Sequence, residues 1–138
     1  MAEVLDHLRA VPLFQGLSDR GLASVAELAA EVEFPDGAEI TREGDAGDAF
    51  YVVISGHLDI SQGGHSIARL GPGDFLGEIA LIDGRARTAT ATALGPVAAV
   101  CIQRPAFLEL LDAHGAVRLG VLMALTERIR RDAATSRD

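Results

Sequence analysis

Residues 75–90 read FLGEIALIDGRARTAT and carry the densest pattern in this chain of 138 residues. The apolar pair at the start predicts that a strand ends near Leu76, and Gly77 has no Cβ, so a ligand can approach its backbone closely. Residues 78–82 can form one or two helical turns, which Gly84 would end. The first amides of such a turn lack partners within the helix and carry positive potential, so the segment predicts an anion site.

Four side chains or amides supply the chemistry of this predicted site. Arg87 begins the next strand and can bring a planar guanidinium back over the turn to hold a phosphate through two hydrogen bonds. Thr88 adds a hydroxyl and Ala89 adds an amide. Glu78 is an acceptor on the same turn, which suits a ligand that also carries a hydroxyl, such as a ribose. The simpler alternative is that Glu78 and Arg87 form an ordinary salt bridge that holds a loop; Arg85 is interpreted as a solvated loop residue or as one that tunes the local field.

Strand-like runs separated by glycines fill the middle of the chain, from residue 32 to residue 103. The runs are Phe50–Ile54, the alternating pair Leu58 and Ile60, Ser66–Leu70, Arg87–Leu94 and Val97–Ile102. Short strands with glycine turns predict an antiparallel sandwich or barrel.

Both ends of the chain show helical spacing. Ser18 is a candidate N-cap for a helix that buries Leu22, Val25 and Leu28. Near the other end, Pro105 suits a first helical turn. That helix should place Phe107, Leu108 and Leu111 on one side, and the last helix carries Val117, Val121, Leu125 and Ile129.

The predicted fold is mainly β with flanking helices: an antiparallel β-roll, or double-stranded jelly roll, with N-terminal helices and two C-terminal helices. We expect a single domain over residues 1–138. It comprises a helical segment 1–31, a roll 32–103 and C-terminal helices 104–135.

Composition and charge restrict the function. Hydrophobic residues make up 49% of the chain and charged residues 23%, as in globular proteins. The longest apolar run is too short to span a bilayer and no signal peptide is evident, so a cytoplasmic location is the default. The single cysteine, Cys101, is interpreted as a buried apolar residue. The net charge is −8 and the chain has no lysine. The negative charge argues against general nucleic-acid binding. The absence of lysine excludes Schiff-base chemistry and a P-loop lysine.

Residues 75–90 resemble the phosphate-binding cassette of cyclic nucleotide-binding domains. These domains occur in regulatory subunits of cyclic-nucleotide-dependent kinases, in cyclic-nucleotide-gated channels and in catabolite activator-type regulators. The matching positions are Leu76, Gly77, Glu78, Ala80, Leu81, Arg87, Thr88 and Ala89. A second family motif lies upstream, at Gly44-Asp45-x-Gly47 followed by Phe50-Tyr51-Val52-Val53 and Gly56. It departs from the family at Thr41, where an aliphatic residue is usual.

The resemblance implies a role for each site residue. Glu78 would accept a hydrogen bond from the ribose 2′-hydroxyl and Arg87 would pair with the cyclic phosphate. Thr88 and the amides of Gly77, Ile79, Ala80 and Ala89 would complete the phosphate shell. The base pocket would include Ile60, Ile67 and Leu76, although Ile60 and Ile67 also fit a plain core. The final helix would act as a lid over the base, with Met123, Arg128 and Ile129 as candidates, and Arg128 also suits a solvated helix face.

Cyclic AMP is favoured on its frequency in chains of bacterial type, since no residue is identified that binds the adenine 6-amino group. Thr88 also permits cyclic GMP, because its hydroxyl can accept from a guanine 2-amino group. We expect no cofactor, no metal, no catalytic residues and no nucleic-acid or membrane segment within this chain. Ligand would order the cassette and move the last helix, which would signal to a protein effector or a second copy. One alternative is a degenerate domain that serves as an interaction or dimerisation module without nucleotide. Another, a metal-dependent cupin-type enzyme, is opposed by four scattered histidines that form no closely spaced pair.

Overall fold

The computed structural model describes residues 2–11, 14, 16–77 and 86–136. Helices lie at both ends and strands lie between them, which confirms the predicted mainly β fold with flanking helices. The helices are α1 (Ala2–Arg9), α2 (Asp19–Leu28), α3 (Arg104–Ala113) and α4 (Gly115–Ser136). The strands are β1 (Ala29–Phe34), β2 (Glu39–Thr41), β3 (Ala49–Gln62), β4 (His65–Leu70), β5 (Phe75–Leu76) and β6 (Thr90–Gln103).

The strands form an antiparallel sheet around two long central members. β3 and β6 pair with each other from Ala49↔Gln103 to Ser61↔Thr90. β1 and β2 pair with β6, whereas β4 and β5 pair with β3. Every described pairing is antiparallel. Because β5 ends at Leu76 and β6 begins at Thr90, the sheet holds both ends of the segment that the sequence singled out.

Both long strands continue through glycines that the sequence analysis interpreted as breaks. Gly56 lies within β3 at φ 87° and Gly95 lies within β6 at φ 81°. The pairing register shifts between Val53 and His57, as it does where an extra residue bulges from one strand. Glycine adopts such backbone angles at little cost, so the strands bend and resume instead of ending.

Helix α2 begins as predicted and ends earlier than predicted. The Ser18 side chain accepts a hydrogen bond from the Gly21 amide at 3.1 Å, which confirms the N-cap. The predicted boundary between helical segment and roll lay after residue 31, but β1 already starts at Ala29. Leu28 consequently ends the helix on the surface instead of joining the core.

Two apolar clusters stabilise the chain. The helical cluster joins the helices to one side of the sheet and includes Leu8, Phe14, Val25, Phe50, Val100, Phe107, Val117 and Val121. The roll cluster contains Val53, Leu58, Leu76, Ala91, Ala93 and Val97. Phe50 stacks on Phe107 with ring centroids 4.6 Å apart, so α3 is fixed directly to β3.

Helix α3 turns Phe107 and Leu111 to the core as predicted, but the prediction was wrong for Leu108. Phe107 and Leu110 are buried and Leu111 is partly buried against the helical cluster, whereas Leu108 is exposed. Residues three and four apart share a helix face, and neighbouring residues do not. None of the described helices has the length and apolar character needed to cross a membrane.

A side chain at position 56 should strongly destabilise the roll. A Cβ at this glycine would overlap the Pro96 carbonyl oxygen and lie 3.1 Å from Val97 Cα. We expect Gly56→Ala to lower the free energy of unfolding by about 2 kcal/mol or more, because left-handed strain and overpacking add. The matched control is Gly64→Ala, at φ 83° with nothing within 4 Å of the added Cβ. Urea denaturation should show a clearly smaller loss for the control, and equal losses would contradict the packing argument.

Candidate functional site

Arg87 is the buried charge at the centre of the candidate site. It is 7% exposed, and no other charged residue in the described ranges is buried. Its Nη2 donates to the Ala49 carbonyl oxygen at 2.6 Å, and its Nη1 donates to the Gly77 carbonyl oxygen at 3.1 Å. Each of these nitrogens carries a second N–H, so the guanidinium keeps donors for a further acceptor. The sequence therefore placed Arg87 correctly beside Gly77.

Gly77 makes room for this guanidinium. It adopts φ 96°, in the left-handed region that favours glycine. A Cβ there would overlap Arg87 Nη1 and lie 2.8 Å from the Ala49 carbonyl oxygen. The absence of a side chain at position 77 is thus required by the arginine itself, in addition to any ligand.

The turn at residues 42–45 fixes the backbone of Arg87. The Arg87 amide donates to the Asp45 carbonyl at 2.7 Å, and the Gly44 amide donates to the Arg87 carbonyl at 3.0 Å. An isolated bridge between Ala46 and Ala86 extends this contact. The upstream glycine motif therefore supports the cassette, because Gly44 and Asp45 hydrogen-bond to the backbone of Arg87.

Residues 87–89 precede β6 and are held by side chains from other strands. Thr41 Oγ1 donates to the Ala89 carbonyl at 3.3 Å, and Gln62 Nε2 donates to the Thr88 carbonyl at 2.9 Å. Thr41, the departure from the family pattern, thus has a polar partner. Gln62 was not predicted as a site residue, because its partner is a main-chain carbonyl 26 positions away that lies beside it only in the folded chain.

The surroundings of Arg87 are polar and open to solvent on one side. A cavity of about 310 Å³ is lined by Glu39, Ile40, Thr41, Arg42, Asp45, Ala46, Asp48 and Arg87. Asp48 Oδ1 lies 4.0 Å from Arg87 Nη2, with 84% of the Asp48 side chain exposed. In the part of the chain that the structure describes, no three His, Cys, Asp or Glu side chains are grouped to hold a metal ion.

The predicted base-pocket residues differ in their surroundings. Leu76 lies in the roll cluster at 7% exposure, and Ile60 is partly buried against that cluster. Ile67 is 55% exposed on β4, which pairs with β3 at one end of the β1-β6-β3-β4 order. The structure therefore brings Ile60 and Leu76 together beside the cassette but leaves Ile67 on the surface.

Other predicted contacts lie outside what the structure describes. Glu78, Ile79 and Ala80, together with Arg85, fall in the range 78–85, which is not described. Arg128 and Ile129 belong to α4, but their side chains are not described.

Met123, the third lid candidate, is 61% exposed on α4. The buried side of this helix, Val117 and Val121, packs in the helical cluster. A lid over the base stays a prediction.

Tyr51 and Cys101 are cross-strand partners on β3 and β6, close enough to Arg87 for its charge to affect both. Cys101 is 8% exposed, which confirms that it is a buried residue. Burial raises the pKa of the Tyr51 phenol, and burial likewise raises the pKa of the Cys101 thiol. A thiol with a raised pKa is a poor nucleophile, so Cys101 belongs to the packing around the site.

Comparison with known proteins assigns the family. The model of the cyclic nucleotide-binding domain matches residues 31–114. The chain is 30% identical over 124 residues to a CRP-like cAMP-activated global transcriptional regulator of Mycobacterium tuberculosis, covering 86% of this chain and 55% of the relative. It is 34% identical over 113 residues to a cAMP-dependent protein kinase regulatory subunit of Dictyostelium discoideum, covering 76% of this chain and 35% of the relative.

Among solved structures, the regulatory domain of Toxoplasma gondii PKA with cAMP superposes with a TM-score of 0.83 at 27% identity. This match covers 91% of this chain and 49% of that chain. The chain therefore belongs to the cyclic nucleotide-binding domain family. It spans about half the length of the first-matched relatives, which are a transcriptional regulator and a kinase regulatory domain.

Arg87 should stabilise the fold even without ligand. In Arg87→Met the carbonyls of Ala49 and Gly77 lose their donors, and we expect a loss of about 1–3 kcal/mol in the free energy of unfolding. Arg42→Met is the control, since Arg42 makes an exposed pair with Glu39, and its loss should be smaller. Urea denaturation of nucleotide-free protein measures both. A variant as stable as the unmodified chain would contradict a structural role for the guanidinium.

Tyr51 should titrate above its ordinary pKa. It is the single tyrosine and the chain has no tryptophan, so absorbance at 295 nm reports this phenol directly. We expect a midpoint above 10.0 in native protein and a lower midpoint in urea. Because the folded pKa is raised, stability is complete below the unfolded value and falls as pH rises through the folded value. A native midpoint at or below that in urea would contradict the burial argument.

Proposed function

We propose that this chain is a sensor domain that binds a cyclic nucleotide, with cyclic AMP favoured and cyclic GMP possible. The observation that carries the proposal is the buried guanidinium of Arg87, which is held by two neutral carbonyls and retains further N–H donors. Among the described residues, the one ion pair of this guanidinium is with Asp48, at 4.0 Å and largely exposed, and a buried cation so weakly paired is a strong site for an anion, since the low dielectric strengthens the interaction. The relatives named for cAMP support the nature of that anion.

The proposed contacts follow the family pattern. Arg87 would pair with the cyclic phosphate, and Thr88 would add its hydroxyl. Glu78 would accept from the ribose 2′-hydroxyl, while the amides of Gly77, Ile79, Ala80 and Ala89 would complete the phosphate shell. Among the described hydrogen bonds, those of residues 88 and 89 use their carbonyl oxygens and not their amides. This arrangement supports the proposal that the amide of Ala89 is available to a phosphate.

The domain would signal through a movement of α4, which would change how this helix contacts a partner. Its buried side holds Val117 and Val121, whereas Leu119, Leu122 and Met123 are 58–61% exposed. These three residues lie at i, i+3 and i+4, so they form one apolar stripe on the helix. Ligand binding would shift the population of α4 positions, by no more than the difference in affinity between the two states. The stripe would then contact a protein effector or a second copy.

Binding is tested by calorimetric titration of cyclic AMP and cyclic GMP into protein that has been unfolded and refolded to remove carried-over nucleotide. We expect one nucleotide to bind at least tenfold more tightly, which corresponds to about 1.4 kcal/mol. Glu78→Ala should weaken binding by about tenfold or more, because a hydrogen bond to a charged group is lost. Glu109→Ala removes an exposed carboxylate on α3 and is the control. No binding of either nucleotide by the unmodified chain would favour the alternative, an interaction module without nucleotide.

A further inference from the structure

The segment that carries Arg87, Thr88 and Ala89 lies between β5 and β6 and joins no strand. β6 begins only at Thr90. Main-chain polar groups that lack strand partners must find others. In this segment they find them in two turns that are distant in sequence.

The first turn is residues 42–45, which hold the Arg87 backbone as described above. The Glu43 amide also donates to Thr90 Oγ1 at 3.0 Å. The second turn joins β3 to β4 and contains Gln62 and Gly63. Gln62 Nε2 donates to the Thr88 carbonyl at 2.9 Å, and the Gly63 amide donates to Glu43 Oε1 at 3.0 Å. The two turns are thus bonded to each other as well as to residues 88–90.

We propose that Gln62 is a positioning residue for the proposed phosphate-binding segment 87–89, acting through Thr88. This inference rests on the proposed function and deepens it. Gln62 spans from the β3–β4 hairpin, which carries Ile60 and Ile67, to the main chain of Thr88, which would contact the phosphate. Its amide fixes the carbonyl of Thr88 and therefore the direction of the Thr88 side chain and of the following amide, that of Ala89. Among the described hydrogen bonds, this one runs directly from a side chain of the hairpin to the main chain of residues 87–89.

The bond has little value for stability by itself, because it is exposed and water can replace it. Its effect should therefore appear in ligand binding, where a small displacement of Thr88 misaligns its hydroxyl and the next amide. This difference separates a positioning role from a purely structural role.

The test is a double-mutant cycle of Gln62→Met and Thr88→Ala, with Kd measured by calorimetry for cyclic AMP and cyclic GMP. Methionine matches glutamine in length and charge but has no N–H donor. We expect Gln62→Met to weaken binding of the preferred nucleotide about fivefold, with its Tm unchanged. In the Thr88→Ala background the same substitution should have an effect of twofold or less, since non-additivity marks coupled residues.

Ser66→Ala is the matched control, because it removes a hydrogen bond from a hydroxyl to the Asp59 carboxylate in the same hairpin, and this bond does not reach residues 87–90. We expect it to leave Kd unchanged. Equal weakening by Ser66→Ala and Gln62→Met would overturn the inference in favour of general hairpin rigidity. Additive effects in the cycle, or an unchanged Kd in Gln62→Met, would also overturn it. If the unmodified chain binds neither nucleotide, the proposed function itself fails, and that result is distinct from all of these.

Discussion

The hydrogen bonds from Arg87 to the carbonyls of Ala49 and Gly77 are the interaction around which the candidate site is built. A buried guanidinium is costly unless its N–H groups are satisfied. Ala49 opens β3, Gly77 follows β5, and Arg87 precedes β6, so one side chain ties three separated segments together. Position 77 favours glycine for two reasons, because its φ is 96° and because a Cβ there would lie 2.8 Å from the Ala49 carbonyl oxygen that accepts from the arginine.

Features that depend on neighbouring residues could be predicted from the sequence. The Ser18 cap and the first turn at Pro105 are local and were predicted correctly. Gly56 and Gly95 were interpreted as strand ends, because a glycine looks the same in a turn and in a bulge. What distinguishes them is the facing strand: Gly56 leaves room for the Pro96 carbonyl on β6, forty positions along the chain. Local sequence does not contain that information.

The residues of the candidate site likewise fall into those that could be predicted from local sequence and those that could not. Arg87 and Gly77 were predicted as neighbours because the segment resembles a phosphate-binding pattern, and the structure places them in hydrogen-bond contact; their binding of phosphate stays a prediction. Thr41, Glu43 and Gln62 were not predicted to support the site. Each of them hydrogen-bonds to a group that is at least 26 positions away in the sequence. A polar residue that serves a distant main-chain atom has no distinctive local pattern. Such residues are visible only after the sheet register is known.

The charge of the chain makes the local geometry decisive for an anionic ligand. A net charge of −8 repels anions at long range. Among the described residues, Asp48 is the carboxylate paired with Arg87, at 4.0 Å and largely exposed. Because water reaches the Asp48 carboxylate and the atoms are 4.0 Å apart, this pair offsets the Arg87 charge only weakly. The two carbonyls that hold the guanidinium are neutral, so they orient the positive charge without cancelling it. Among the described residues, one buried cation with a distant, exposed carboxylate partner therefore sets the local field against the negative net charge.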